Sequence, residues 1–263
     1  MAKIELSHVR FCYGQQGKCF RALDDVNFRI EEGEFICILG HSGCGKTTLL
    51  RLLSGLQMPT QGTVLLDGKP MEGPGTDRAV VFQNYALFPW LSARKNVQFG
   101  IRQARKDLSK AQAHELAMEY LAKVDMTDAA DKYPYQLSGG MKQRVAIARA
   151  LAMDADILLL DEPFGALDAK IRKELQQLLG QLWRSGEKRK TVIFVTHDIR
   201  EAVQLGSRIL FMTPARIAAD IPVSLPWPRD DLDAQQKQQR KALEDRLLQL
   251  FYETEGEVCC NES

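Results

Sequence analysis

A glycine-rich segment, Gly40–Thr47, constrains the fold more than any other feature of the chain. It reads Gly-His-Ser-Gly-Cys-Gly-Lys-Thr and matches the pattern G-x-x-x-x-G-K-[ST]. The apolar run Phe35–Leu39 precedes it and the helix-forming run Thr48–Leu53 follows it. Glycines in such a strand–loop–helix connection let successive backbone N–H groups face an anion at the positive end of a helix dipole. The segment therefore predicts a phosphate-binding loop, in which Lys46 reaches the β- and γ-phosphates of a nucleotide and the Thr47 hydroxyl completes a Mg²⁺ shell.

The rest of the chain alternates between strand and helix patterns, with one long interruption. Short β-rich runs fill the first eighty residues, and the character becomes helical from about Ser92 to Ala155. Alternation then resumes with the strand Ile157–Leu160, the helix Lys170–Arg184 and the strand Val192–Thr196. Such alternation predicts an α/β fold with a parallel sheet covered on both faces. The helical stretch is expected to be inserted into that core.

The end of the chain has a different composition. A proline-rich linker, Leu225-Pro226-Trp227-Pro228, follows the last predicted strand. Beyond it, Leu232–Tyr252 is predicted to form one polar helix. Its expected docking stripe consists of four residues: Leu243, Leu247, Leu250 and Phe251. We therefore expect a main domain at 1–228, with a helical subdomain at about 87–156, and a linker and tail at 229–263.

Composition excludes several classes of protein. The 35 Lys and Arg residues nearly balance 34 Asp and Glu residues, which gives no support to nucleic-acid binding through a basic surface. No apolar run approaches the length of a membrane span, and the N-terminus lacks a secretory h-region. The six cysteines follow no metal-binding or disulfide spacing. We therefore expect reduced thiols in a chain that neither spans a membrane nor is secreted.

Further candidate residues lie downstream of the phosphate-binding loop. The apolar run Ile157–Leu160 ends in Asp161, which is suited to hold Mg²⁺, and Glu162, which is suited to polarise a water molecule. Taken alone, this pattern is usually just a strand that meets a polar loop. Ser138, Gly139 and Gly140 precede a predicted helix and form either a second anion site or a simple helix cap.

Two polar residues follow predicted strands. Gln83 follows the strand Ala79–Phe82, and His197 follows Val192–Thr196. A lone glutamine in such a place indicates little about function. A single histidine there is more often structural than catalytic.

The order of these motifs resembles that of the ATP-binding cassette (ABC) ATPases, over about residues 4–225. In chain order the motifs are Walker A at 40–47, the Q-loop Gln83, the signature at 137–144, Walker B at 157–162, the D-loop at 165–168 and the switch His197. The resemblance implies a P-loop NTPase core of the α/β class, with an inserted helical subdomain and N-terminal antiparallel β elements.

The resemblance also implies roles for individual residues. Glu162 would activate water, His197 would sense the γ-phosphate, and Gln83 would contact Mg²⁺ and water. Tyr13 would stack on adenine, with Phe11 as the alternative, although strand alternation favours Phe11 in the core. The residues expected to bind ATP are Tyr13, Gly40, Ser42, Gly43, Cys44, Gly45, Lys46, Thr47, Thr48, Ser138, Gly139 and Gly140. The expected Mg²⁺ ligands are Thr47, Gln83 and Asp161.

Partners follow from the same resemblance. In this family the signature of one subunit closes on the nucleotide of another, so one copy of each motif implies a homodimer with ATP sandwiched at its interface. The aromatic loop Asn84–Trp90 is either a local hydrophobic plug or a groove for a helix of a transmembrane permease. A periplasmic binding protein is a further expected partner, and nucleic acid is not. The expected location is the cytoplasmic face of the inner membrane, as a peripheral subunit.

Finer motifs resemble the importer ATPases for nitrate, taurine and sulfonates. The matching segments include Pro74–Arg78, Leu87–Trp90 and Leu225–Arg229. An ATPase of an export or lipid-trafficking complex is the alternative, because its cassette would look nearly the same.

Cys44 lies inside the phosphate-binding loop and permits two interpretations. Backbone N–H groups and Lys46 would lower the pKa of its thiol and make it reactive. Alternatively, its side chain is turned into the protein.

Overall fold

The computed structural model describes residues 2–14, 19–184 and 189–260, with side chains up to residue 254. The chain forms two compact units, one from residues 1–73 and 193–263 and the other from 74–192. The predicted helical subdomain at about 87–156 lies within the second unit, and the predicted boundary at residue 228 stays a prediction.

An antiparallel sheet forms the first part of the first unit. Its strands are β1 (Ala2–Tyr13), β2 (Phe20–Glu31), β4 (Gln61–Leu66) and β5 (Lys69–Pro70), in the order β2-β1-β4-β5. The expected N-terminal antiparallel elements are therefore present. Tyr13 is the last residue of β1 and pairs with Phe20 of β2.

The first unit also contains the strand and helix on either side of the phosphate-binding loop. Strand β3 (Phe35–Gly40) is buried at every residue, and helix α1 (Lys46–Leu53) follows the loop. The neighbouring strands are β8 (Thr191–Thr196), β9 (Arg208–Thr213) and β10 (Arg216–Pro222), in the order β10-β9-β3-β8. Strand β3 runs parallel to β9, as the alternation of strands and helices predicts. Helix α6 (Ile199–Leu205) begins where Asp198 accepts hydrogen bonds from the backbone N–H groups of Arg200 and Glu201.

The tail of the chain forms helix α7 (Ala234–Cys260). The predicted helix Leu232–Tyr252 therefore has the right place but ends too early. Asp233 caps its start, because its carboxylate accepts from the Gln236 N–H while the Gln236 side chain accepts from the Asp233 N–H. Within the predicted docking stripe, Leu247 is completely buried, and the other three members are half-buried.

The described part of the second unit combines two parallel strands with four α-helices and two short 3-10 helices, Thr127–Ala129 and Pro134–Gln136. Strand β6 (Arg78–Val81) pairs in parallel with β7 (Ile157–Asp161). The α-helices are α2 (Ala93–Ala104), α3 (Lys110–Lys123), α4 (Gly139–Ala152) and α5 (Ala169–Arg184). Serine side chains cap the first three: Ser92, Ser109 and Ser138. Among the described helices of the whole chain, none combines the length and apolar character that crossing a membrane requires.

Candidate nucleotide-binding site

The phosphate-binding loop follows β3 as predicted, and close backbone approaches explain two of its glycines. A Cβ atom at Gly40 would lie 2.4 Å from the carbonyl oxygen of Met212. Gly45 has a φ of 111°, and a Cβ there would lie 2.5 Å from the carbonyl oxygen of Ala22. Larger residues would push the loop away from the neighbouring backbone, so the sequence pattern has a direct steric cause.

Lys46 is the first residue of α1, and its ammonium group turns back over the loop. The group is almost completely buried, and Nζ donates hydrogen bonds to the carbonyl oxygens of Gly40 at 2.8 Å and His41 at 2.7 Å. The cation is therefore held at the mouth of the loop. A cation in this place is suited to neutralise the charge of a polyphosphate.

The thiol of Cys44 does not behave as its position in the loop suggested. Only 3% of the residue is exposed. Burial raises the pKa of the Cys44 thiol and outweighs the opposing effects of Lys46 and of nearby backbone N–H groups. The expectation of a lowered pKa is therefore wrong, because burial destabilises the thiolate more than the nearby positive potential stabilises it.

This burial changes the expected labelling of the thiols. We expect N-ethylmaleimide to modify exposed Cys19 in the native protein and to leave Cys37 and Cys44 unmodified until the protein is denatured. Mass spectrometry of peptides assigns each site, including Cys259 and Cys260 of the tail, whose side chains lie outside the described ones. Rapid labelling of Cys44 that MgATP prevents would contradict the buried position.

Tyr13 lies next to α1. Its hydroxyl group is 3.1 Å from Oγ1 of Thr48 and donates to Oε1 of Gln57 at 3.3 Å. Burial alone would raise the pKa of Tyr13, but hydrogen bonding with Thr48, Gln57 and Arg51, together with the positive charge of Arg51, outweighs it and lowers the pKa. Phe11 is buried and meets Tyr13 edge-on at 4.9 Å between ring centroids, which confirms Phe11 as core.

The two predicted carboxylates sit at the end of β7 in the second unit. Asp161 is its last residue and is only 3% exposed. Glu162 follows with a φ of 45°, a left-handed conformation that costs energy for a residue with a Cβ. Gln83 Nε2 lies 3.5 Å from Oε2 of Glu162, at the outer limit of a hydrogen bond. The structure thus brings two of the three predicted catalytic residues together.

The backbone just after Gln83 is strained, which the sequence did not predict. Tyr85 and Ala86 have φ values of 66° and 45°. Arg149 of α4 holds this turn by donating to the carbonyl oxygens of Ala86 at 2.8 Å and Tyr85 at 3.3 Å. The Tyr85 hydroxyl also lies close to Gly139, since a Cβ there would be 3.1 Å from it. The turn that follows Gln83 is therefore held in contact with the signature helix α4.

Ser138 lies at the start of the signature helix α4. Its hydroxyl group accepts a hydrogen bond from the Met141 N–H at 3.3 Å, so the residue is a helix cap. The residue is also exposed, with Gly139 and Gly140 following it. The cap leaves the residue on the surface, where a second molecule can reach it.

His197 is placed between a strand and a helix of the first unit. It follows the last residue of β8 and precedes Asp198, the cap of α6, and its side chain is exposed. Thr196 fixes this junction, because its hydroxyl group donates to Glu201 at 2.8 Å and accepts from the Asp198 N–H at 3.0 Å.

The aromatic loop is built around a buried amide. The Asn96 side chain accepts from the Phe88 N–H at 2.8 Å and donates to the carbonyl oxygens of Phe88 and Leu91. Phe88 packs on Phe99, whereas 70% of Trp90 is exposed. The interpretation as a hydrophobic plug is therefore wrong for Trp90. A groove of about 410 Å³ follows the loop and is lined by Leu91, Lys95, Gln98, Phe99, Arg102, Gln103 and Lys110.

The chemistry of the candidate ligands fits Mg²⁺. The residues predicted to hold it offer a hydroxyl, an amide and a carboxylate oxygen: Thr47, Gln83 and Asp161. Mg²⁺ prefers oxygen ligands, and it is usually bound through one or two carboxylates together with substrate phosphates and water. Within the described part of the chain, no group of three or more His, Cys, Asp or Glu residues forms a dedicated metal cage.

A buried cation over a glycine-rich loop, together with paired carboxylates after a parallel strand, defines a P-loop nucleotide-hydrolysing protein. The model of the family described as "ABC transporter" matches residues 23–165. This chain therefore belongs to the ABC transporter family, and it is an ATP-binding chain that hydrolyses ATP.

Two curated relatives cover most of the chain. It is 51% identical over 210 residues to the nitrate import ATP-binding protein NrtD of Synechococcus elongatus, covering 79% of this chain and 76% of that protein. It is 46% identical to the bicarbonate transport ATP-binding protein CmpD of the same species, covering 89% of this chain and 84% of that one.

A solved structure has a similar fold. It is the dimeric post-hydrolysis state of the ATP-binding cassette MJ0796 bound to ADP and Pi. The TM-score is 0.77 at 36% identity, and the match covers 84% of this chain and 98% of that chain. The predicted ABC ATPase fold is confirmed.

Proposed function

We propose that this chain is the ATP-hydrolysing subunit of an importer that takes up a small anion such as nitrate or bicarbonate through a separate permease. The sequence identity of this chain to NrtD and CmpD is the observation that supports the proposal. Taurine and sulfonates remain substrates that the sequence motifs suggest. These relatives do not favour the alternative of an export or lipid-trafficking complex.

We propose that two copies of the chain act together around ATP. Each chain has one phosphate-binding loop and one signature motif, and the cassette MJ0796 with a similar fold is a dimer. Exposed Ser138, with Gly139 and Gly140, would face the γ-phosphate held by the partner. The helix that starts there offers a positive dipole end to that anion.

Within one chain, each of the candidate residues has a proposed task. Lys46 neutralises the β- and γ-phosphates, and Tyr13 stacks on the adenine. Glu162 orients the attacking water, Gln83 contacts that water, and His197 senses the γ-phosphate. Bound Mg²⁺, held through Thr47, Gln83 and Asp161, would neutralise charge on the phosphates.

The groove beside the aromatic loop is the proposed docking place for the permease. Exposed Trp90 provides a rigid aromatic anchor, and three cations line the groove: Lys95, Arg102 and Lys110. Such a groove favours a short helix with acidic side chains. A periplasmic binding protein would complete the importer. This chain would lie at the cytoplasmic face of the inner membrane, as a peripheral subunit.

Trp90→Ala tests the proposed coupling. In cells that lack the native gene, we expect the variant to restore little uptake of labelled nitrate or bicarbonate. The purified chain should still hydrolyse ATP, because Trp90 lies outside the phosphate-binding loop. A matched control is Tyr252→Ala, which removes an equally exposed aromatic ring from α7. Normal uptake with Trp90→Ala would contradict this docking surface, and wild-type cells without uptake of either anion would contradict these substrates.

A further inference from the structure

The phosphate-binding loop contacts a part of the chain that none of the nucleotide-binding motifs includes. His41, the second residue of the loop, donates a hydrogen bond from Nε2 to the carbonyl oxygen of Phe251 at 3.2 Å. The two rings also meet edge to face, with 4.6 Å between their centroids. Phe251 belongs to the tail helix α7, so the tail and the loop are directly joined.

The tail helix is well anchored where it reaches the loop. Leu247 is completely buried one helical turn before Phe251. Phe251 itself packs edge-on against buried Phe211 of β9, at 5.0 Å between ring centroids. Earlier in the helix, Arg240 donates to Gln204 of α6 at 2.9 Å. Phe251 therefore presents its ring and carbonyl group to His41 from a fixed position.

On the loop side, His41 also holds the ammonium group of Lys46. Its own carbonyl oxygen accepts the 2.7 Å hydrogen bond from Lys46 Nζ. The side chain of His41 is thus tied to the tail helix while its backbone is tied to Lys46. A shift of His41 would move one of the two carbonyl groups that keep the ammonium group over the loop.

We infer that the tail helix positions the phosphate-binding loop for nucleotide through the contact between Phe251 and His41. A loop that is already held in its binding conformation loses less freedom when the nucleotide arrives, so affinity rises. Because coupling free energies are reciprocal, bound nucleotide must in turn hold the tail helix in place. The inference rests on ATP binding by this chain, and it assigns Phe251 and His41 as positioning residues.

The first test compares two neighbouring residues of the same helix. Phe251→Ala should raise the Kd for a fluorescent ATP analogue about two- to tenfold, as expected for the loss of an aromatic edge contact and its packing. Tyr252→Ala removes an adjacent ring that is 66% exposed, and it should leave the Kd unchanged. Phe251→Leu keeps most of the apolar volume but removes the aromatic ring. It replaces Phe251→Ala as the test variant if the alanine variant is poorly folded.

The second test separates the hydrogen bond from general packing. His41→Gln keeps an N–H donor near the place of Nε2, whereas His41→Ala removes it. We expect the glutamine variant to bind the analogue more tightly than the alanine variant. Equal Kd values for these two variants, or for Phe251→Ala, Phe251→Leu and wild type, would overturn the inference.

The reciprocal effect gives an independent readout. In the full chain, MgATP should slow amide hydrogen exchange in the part of α7 around Leu247–Thr254. Lys46→Ala, which removes the cation of the loop, should abolish this protection. Exchange in α7 that MgATP leaves unchanged would overturn the inference. Failure of the wild-type chain to bind ATP at all would instead contradict its ATPase function.

Discussion

Glu162→Gln is expected to lower the rate of ATP hydrolysis about 100- to 10,000-fold, the range that a positioned general base contributes. The amide keeps the shape of the side chain and its place beside Gln83, but it cannot accept a proton from water. ATP binding should persist, since Glu162 is not among the residues expected to bind the phosphates. A phosphate-release assay measures the rate, and near-normal turnover would remove Glu162 from the proposed role.

The same variant should trap the proposed dimer. With hydrolysis blocked, ATP remains bound, and size exclusion with MgATP should show a species of twice the mass. Adding Ser138→Arg places a bulky side chain where the γ-phosphate of the partner would approach, so the double variant should stay monomeric while still binding ATP. A double variant that forms the dimer would contradict the role of Ser138 at the interface.

Lys46→Ala is expected to weaken the binding of ATP about 10- to 100-fold, as for the loss of hydrogen bonds to a charged group. The ammonium group is held by the carbonyl groups of Gly40 and His41, and no other cation is predicted to reach the β- and γ-phosphates. Fluorescence titration with an ATP analogue measures the Kd. Hydrolysis should fall with it.

Lys69→Ala serves as the matched control for this prediction. Lys69 is an exposed residue of β5, so its removal changes the net charge equally without touching the loop. Equal affinity of Lys46→Ala and Lys69→Ala for the analogue would contradict the assignment of Lys46. A thermal unfolding curve for each variant separates lost binding from lost folding.

Local sequence patterns were enough to predict most of the fold and many of the candidate site residues. Strand, loop and helix around Gly40–Thr47 follow from residue types that are adjacent in the chain. The parallel pairing of β6 with β7 agrees with the predicted alternation, and Asp161 ends β7 as the pattern of apolar residues before a carboxylate indicates. Such features depend on periodicity and turn chemistry over a few residues.

Contacts between distant segments could not be predicted in the same way. The extent of α7 to Cys260 was missed, because Gly256 is a residue type that usually ends a helix and the polar run after Tyr252 has no apolar periodicity to indicate that the helix continues. The strained turn at Tyr85 and Ala86 was missed for a different reason. It is held by Arg149, more than sixty residues away, through two carbonyl groups that carry no sequence signal.

The sequence by itself determined the class of fold, the family and the candidate phosphate-binding residues, since each depends on spacing within a short segment. Only the tertiary structure decided the state of Cys44 and the neighbours of His41. The thiol is buried by β3 and the loop around it, so desolvation and not the nearby cation controls its pKa. The imidazole meets Phe251, which lies 210 positions away along the chain. Burial and long-range packing depend on how the whole chain folds, and no local pattern encodes them.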